Sequence, residues 1–322
     1  MKAIQCAAFG APETLSLVDL PNPTAGPAQV VVDVKACGAN FVDALLVQGL
    51  YQVKPPLPYF PGNEVSGVVL EVGEGVEHLK AGDEVMGLTM VGGFAEQLVA
   101  PAMVFSKKPE GLSFPQAAAF LMNYCTVSYA LDDIANIQKG ETVLILGAGG
   151  GVGLAALDLA IGRGARVIAA AASSEKRALC LEMGASDAID YDNEDLKARV
   201  KELGGADIIV DPVGGKYTEQ AFRAIKPKGR HLIIGFAAGD IPRIPVNLAL
   251  LKRAAILGVD WGGYTRANPA DNLPILARIS EDVAAGRISP VVNALYPLEE
   301  TGKALRDLLD RKVTGKAVVV TS

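Results

Sequence analysis

The sequence predicts an α/β protein of two domains, one β-rich and one a doubly wound parallel sheet. Three observations carry that expectation. The chain has 322 residues, more than the ~250–300 at which single cores stop growing. Its first third holds short apolar runs bounded by glycine and proline, and from about residue 117 apolar runs alternate with helical patterns. A glycine cluster at 147–153 stands at the first strand-to-helix turn of the alternating stretch.

Each element follows in order. Residues 30–36 and 64–72 are runs of strand formers, and 83–86 and 94–99 follow as shorter ones. Strands of this length and spacing suggest a partly open barrel or a sandwich. Residues 116–133 read as helical. Strands are then expected at 142–146, 166–171, 206–210, 231–234 and 255–259, with helices at 151–161 and 175–183 between the first of them. Such alternation argues for a parallel, doubly wound sheet. The tail reads as helices at 273–285 and 299–309 and a closing strand at 316–321. Head and tail are expected to fold together as one domain, residues 1–120 and 265–322, around an inserted domain, residues 121–264.

Composition narrows the function. Half the residues are hydrophobic, a fifth are charged, and the net charge is −6. That excludes wholesale disorder and argues against a nucleic-acid partner, which calls for a concentrated basic face. No leader-like pattern opens the sequence and no apolar stretch reaches ~18 residues, so a cytoplasmic protein without a membrane association is expected. The four cysteines, Cys6, Cys37, Cys125 and Cys180, are scattered, with no CxxC pair to suggest a disulfide framework or a zinc knuckle.

The strongest chemical signal is the turn Gly147-Ala148-Gly149-Gly150-Gly151-Val152-Gly153. A tight turn and close approach of backbone to a pyrophosphate both need residues without a Cβ, and the helix that follows offers its N-terminal N–H groups to the anion. Placed after a strand and before a helix, the cluster predicts dinucleotide binding by Ala148, Gly149, Gly150, Gly151, Val152 and Gly153. An NAD enzyme usually carries Asp or Glu ~20 residues on. Here the second strand runs out as Ala169–Ala172, Ser173 and Ser174, with Lys176 and Arg177 following. Hydroxyls, a helix N-terminus and two cations suit a 2′-phosphate, so NADPH is favoured. Ser173 or Ser174 equally suits a helix cap.

At this point the chain resembles the zinc-free medium-chain dehydrogenase/reductase superfamily, in its quinone oxidoreductase (zeta-crystallin-like) group. The resemblance rests on Asn40-Phe41-Val42-Asp43, Gln48-Gly49-Leu50-Tyr51, Pro61-Gly62-Asn63-Glu64, Ala81-Gly82-Asp83-Glu84-Val85, the glycine turn, Asp211-Pro212-Val213-Gly214-Gly215 and Thr314-Gly315-Lys316. It implies a GroES-like catalytic domain and a Rossmann-type domain, with the active site in the cleft. It also implies that Ser173, Lys176 and Tyr191 grip the 2′-phosphate and that Arg311 lies near the adenosine end. Gly235 and Phe236, which end an apolar run, are expected on the cofactor side. Asn40 and Thr126 are expected near the nicotinamide. Tyr51 is placed like the proton-donating tyrosine of related enoyl reductases, or is a rim aromatic. Trp261 either lines the pocket or plugs a subunit contact.

Zinc enzymes of the superfamily place ligands where this chain has Asn40, Asn63 and Met122, and neither Asn nor Met competes with thiolate or imidazole for Zn²⁺. A metal-free site is therefore expected, Glu64 and the two histidines, His78 and His231, being read as structural and Cys37 as core. Without a Lewis acid, hydride delivery suits a quinone or an activated C=C bond (enones, enals, 2-haloacrylate-like acids, enoyl thioesters) rather than an unactivated alcohol. A non-catalytic NADPH-binding role is the third alternative, disfavoured by the acidic charge and the intact cofactor positions. A homodimer is expected through the last strand, 255–259, whose apolar edge needs covering.

Overall fold

The computed structural model describes residues 1–321, and the chain divides into two compact units, residues 1–122 with those from 290 on, and residues 123–289.

The first unit opens with β1 (Lys2–Gln5) paired antiparallel to β2 (Ser16–Asp19). β3 (Gln29–Ala39), α1 (Phe41–Val47), β4 (Glu64–Val72), β5 (Glu84–Leu88), β6 (Gln97–Pro101), β7 (Phe105–Lys107) and α2 (Phe114–Ala117) follow. β3 is the spine. Its Val30, Val32, Val34 and Cys37 are fully buried, and it pairs antiparallel with both β4 and β6. A strand buried on both faces reads as a continuous apolar run, which is why valine dominates it. α1 has no clear mark in the sequence because seven residues carry too little periodicity. It starts on a capping box, the Asp43 carboxylate accepting the Asn40 N–H at 2.9 Å.

The second unit begins irregularly. In place of the one helix expected over 116–133, two π-helical turns, Leu121–Cys125 and Tyr129–Ile134, flank α3 (Thr126–Ser128). Then come β8 (Thr142–Leu146), α4 (Gly151–Gly162), β9 (Arg166–Ala170), α5 (Ser174–Glu182), β10 (Asp187–Ile189), α6 (Leu196–Glu202), β11 (Ala206–Asp211), α7 (Lys216–Arg223), β12 (Ile225–Ile233), α8 (Asn247–Lys252), β13 (Ala255–Gly258), α9 (Trp261–Ala267) and α10 (Asn272–Ala284). The sheet runs β10-β9-β8-β11-β12-β13, all pairs parallel, so the chain reverses its direction of travel beside β8. Crossover helices cover such a sheet, and β8 is buried throughout. β12 starts before the apolar run at 231–234 because Pro227 and Gly229 mask it. Lys228 sits there at φ 67° and the register with β11 shifts.

Residues 265–289 belong to this second unit, not to the catalytic domain the sequence suggested. The reason is electrostatic as well as apolar. Arg278 pairs with Asp132 at 3.0 Å and Asp133 at 2.7 Å, Arg163 bridges Asp132 and Asp282, and Ile275 and Ile279 are buried. Trp261 is buried and donates to Asn272 at 2.9 Å, tacking α9 to α10.

The tail supplies β14 (Val292–Pro297), α11 (Thr301–Leu309) and β15 (Lys316–Val320) to the first unit. β15 pairs antiparallel with β3, Ala317 opposite Ala39 and Val319 opposite Cys37, completing a seven-stranded sheet. Head and tail share that core, which includes Val32, Val65, Phe94, Leu305 and Val319.

Candidate functional site

Two clusters of side chains have chemistry to offer, one in each unit. In the second, the glycine turn joins β8 to α4, beside the point where the strand order reverses; ligands of open α/β sheets bind outside the carboxyl ends of strands there. Gly147 has φ 62°, and a Cβ on Gly153 would stand 2.3 Å from the Gly147 carbonyl oxygen. Gly150 caps α4 in an extended conformation with no side-chain cap. The first N–H groups of α4 therefore have no intrahelical acceptor and no capping oxygen, which suits an anion.

Lys176 comes to the same turn. A Cβ on Gly149 would lie 2.5 Å from the Cβ of Lys176, so the lysine stem crosses the glycine in the space a larger residue would fill. Ser173 caps α5, its Oγ accepting the Lys176 N–H at 3.2 Å. No carboxylate stands at the end of β9, where Ala171 and Ala172 lead into Ser173. These residues fit a dinucleotide with a phosphate on its adenosine ribose: N–H groups for the pyrophosphate, then a hydroxyl and an ammonium for the extra charge.

Arg177 is also held within the protein. Its guanidinium donates to the carbonyls of Ala171 at 3.1 Å and Ala172 at 2.6 Å and pairs with Asp190 at 2.9 Å. Those contacts, all through Nη1, brace the end of β9. Tyr191 is half-buried, its ring 4.3 Å from that of Tyr217. Gly235 and Phe236 follow β12. Phe236 packs close to Gly214, in the loop that Asp211 holds by accepting the N–H groups of Val213 at 2.9 Å and Gly214 at 2.8 Å. Asp211 also accepts from Thr218 at 2.7 Å and faces His231 Nε2 at 3.1 Å. Burial pushes its carboxyl up, but His231, the Gly214 N–H and Thr218 together bring it below the usual range. His231 is thus a loop anchor. Beyond β12 and β13 lies an open pocket of about 590 Å³, lined by Ile233, Phe236, Val259 and the stacked rings of Tyr129 and Tyr264, 4.7 Å apart. Thr126 is half-buried on the run of helix that leads to Tyr129.

The cluster of the first unit stands where the sequence reading set the zinc question. Asn40 Nδ2 lies 3.1 Å from Asn63 Oδ1 and 3.0 Å from Glu64 Oε2, and Lys316 Nζ donates to Asn40 Oδ1 and, at 3.0 Å, to Glu64 Oε2. The Met122 N–H donates to Glu64 Oε1 at 2.8 Å. Glu64 is fully buried and Lys316 nearly so. A lysine ammonium among these oxygens opposes a second cation by charge, and amides are weak zinc donors, so the set does not fit Zn²⁺. Asn40 also commits its hydrogen-bonding groups to the protein. Beneath it, Asp43 is fully buried with Oδ1 unpartnered; burial above all pushes its carboxyl up to about 7. Burial likewise pushes up the Cys37 thiol, as suits a core residue. Tyr51 is half-buried in the bend after α1, beside Leu50, which is 68% exposed. Arg311 follows α11 with its backbone in the left-handed region, φ 59°.

Sequence reasoning missed Lys316 as a site residue. The signals were the Thr314-Gly315-Lys316 motif and a lysine heading an otherwise apolar strand.

Comparison with known proteins agrees with this division. A family model described as alcohol dehydrogenase GroES-like domain matches residues 26–110, and one described as zinc-binding dehydrogenase matches residues 151–278. The quinone oxidoreductase-like protein 2 homolog of Nematostella vectensis is 39% identical over 99% of this chain and 89% of its own length. The quinone oxidoreductase of Thermus thermophilus, solved also as its complex with NADPH, superposes with a TM-score of 0.86 at 36% identity, covering 99% of this chain and 100% of that one. The Escherichia coli quinone oxidoreductase complexed with NADPH gives 0.90 at 29% identity, with 99% and 100% covered.

Proposed function

We propose that the chain, which belongs to the medium-chain dehydrogenase/reductase superfamily and its quinone oxidoreductase group, is an NADPH-dependent, metal-independent reductase of quinones. The observation that carries the cofactor choice is Lys176 lying across Gly149, with Ser173 at the head of the next helix and no acid at the end of β9. The N–H groups of Gly151, Val152 and Gly153 hold the pyrophosphate, and Lys176 with Ser173 takes the 2′-phosphate. When bound, NADPH supplies the hydride. The related quinone oxidoreductases solved with NADPH support the same reading.

The residues of the first unit bear on the substrate. Asn40, held by Lys316, Asn63 and Glu64, is a fixed polar wall. Exposed apolar side chains, Leu50 and Met90 among them, suit a flat, apolar acceptor. Reduction of an activated alkene is the second reading, favoured by Tyr51. A half-buried phenol can give a proton to the carbon next to a carbonyl after hydride addition, a need that a quinone's stable hydroquinone anion lacks. Thr126 acts beside the nicotinamide and Arg311 at the adenosine end. The protein works as a cytoplasmic homodimer; among the described residues no helix is long and apolar enough to cross a membrane. NADPH oxidation rates over a panel of quinones, enones and acryloyl thioesters, with and without chelator, test the proposal. Turnover of none of them, or turnover abolished by chelator, would sink it.

A further inference from the structure

The glycine turn carries a second side chain that the sequence did not single out. Asn123 lies in the first π-helical turn, where the backbone is widened by one residue and side chains are re-aimed. It is 5% exposed. Its carboxamide occupies the space beside Gly151, the first residue of α4. A Cβ there would meet Asn123 Nδ2 at 2.9 Å, Cγ at 3.4 Å and Oδ1 at 3.4 Å. Two glycines of the turn are thus each covered by one side chain, Gly149 by Lys176 and Gly151 by Asn123.

Other buried amides in the molecule are engaged. Asn40 and Asn63 bond each other, and Asn40 also bonds Glu64. Among the described residues no side-chain hydrogen bond engages the carboxamide of Asn123, and its polar atoms are not sealed from solvent. A packed side chain thus holds an unengaged amide against a helix N-terminus that lacks a side-chain cap. Solvent reaches those atoms in the free protein, and an anion drawn to the helix N-terminus can take its place as their partner.

We infer that Asn123 is a cofactor-binding residue, its Nδ2–H donating to the pyrophosphate or ribose oxygens on the nicotinamide side. The side follows from the fold. Lys176 comes from the helix after β9, on one flank of β8. Asn123 sits on the helical run that continues to Tyr129, which lines the pocket beyond β12 and β13 on the other flank. A neutral donor there adds to the N–H groups of α4 without the adenosine-side charge of Lys176. This inference rests on the NADPH reading above.

The test is calorimetric titration of the full chain with two ligands, NADPH and adenosine 2′,5′-bisphosphate. The second carries the 2′-phosphate and the adenosine-side phosphate only. Asn123→Ala is expected to weaken NADPH by about tenfold or more, the usual worth of a hydrogen bond to a charged group, and to leave the bisphosphate within about twofold. Asn123→Asp keeps the shape and sets a carboxylate before the pyrophosphate. It is expected to weaken NADPH further, with a loss that shrinks as salt rises. It also serves if the alanine variant fails to fold. Equal weakening of both ligands, or NADPH binding unchanged in either variant, would overturn the assignment. Wild type binding neither ligand would remove the NADPH reading itself, and this inference with it.

Discussion

Replacing Lys316 by methionine removes the ammonium from the buried cluster while keeping most of the stem. The structure sets the size of the effect. Lys316 Nζ is 3.0 Å from Glu64 Oε2, with Glu64 fully buried and Lys316 4% exposed. Breaking a buried pair by removing one partner costs ~3–5 kcal/mol, because an uncompensated charge is left behind. The carboxylate keeps two donors, Asn40 Nδ2 at 3.0 Å and the Met122 N–H at 2.8 Å, which puts the loss at the lower end, about 3 kcal/mol. With a urea slope of ~3 kcal/mol/M for a large domain, the midpoint falls by about 1 M. Urea unfolding followed by circular dichroism reads it directly. Pairing Lys316→Met with Glu64→Gln removes the orphaned charge and is expected to recover most of the loss. A single variant shifted by less than ~0.3 M, or a pair no better than the single, would refute the reasoning that this cluster is a charge-balanced scaffold for Asn40.

Three other outcomes are expected. Tyr51→Phe keeps the ring and removes the donor; if alkene reduction is the main activity, its kcat/KM on enones falls at least ~10²-fold with quinones affected much less, whereas a small uniform loss leaves Tyr51 as a wall. Asp43, held up near 7 in the fold chiefly by burial, binds a proton in the folded chain that the unfolded chain has released above its ordinary value of 3.8. Its contribution therefore favours the fold at low pH and is lost as pH rises from about 4 to about 7; unfolding across that window with Asp43→Asn should flatten the slope, and an unchanged slope would exclude Asp43 as its source. The edge strand β13 exposes Ala255, Ile256 and Gly258, with Val246, Leu250 and Leu251 exposed nearby in sequence, so sedimentation at micromolar concentration should show a dimer, and a persistent ~34 kDa species would count against it.

Much of the architecture was legible because it is written in period. The runs behind β8, β9 and β11 are apolar with helical stretches between them, and the glycine turn has the spacing a phosphate cradle needs. What escaped notice was written in contacts. Residues 265–289 join the second unit through Arg278, Asp132, Asp133 and Asp282, and nothing local marks those ion pairs. Arg177 reads as a phosphate ligand by its neighbours Ser173 and Lys176, and nothing local shows that its Nη1 is also held by Asp190 and two carbonyls. Lys316 and Glu64 are 252 residues apart in the chain, so only folding reveals that their ion pair stands beside Asn40 and Asn63. The π-helical turns around Thr126 follow no sequence period, and Asn123 stayed hidden with them.

On the NADPH reading, the glycine turn and Lys176 select NADPH over NADH. Calorimetric titration of wild type and Lys176→Ala with both cofactors tests it most directly. The wild-type chain should bind NADPH at least about tenfold more tightly than NADH, as a charge-assisted contact to the 2′-phosphate requires. Lys176→Ala should erase most of that difference by weakening NADPH alone. Equal affinities for the two cofactors, unaltered by the substitution, would contradict it.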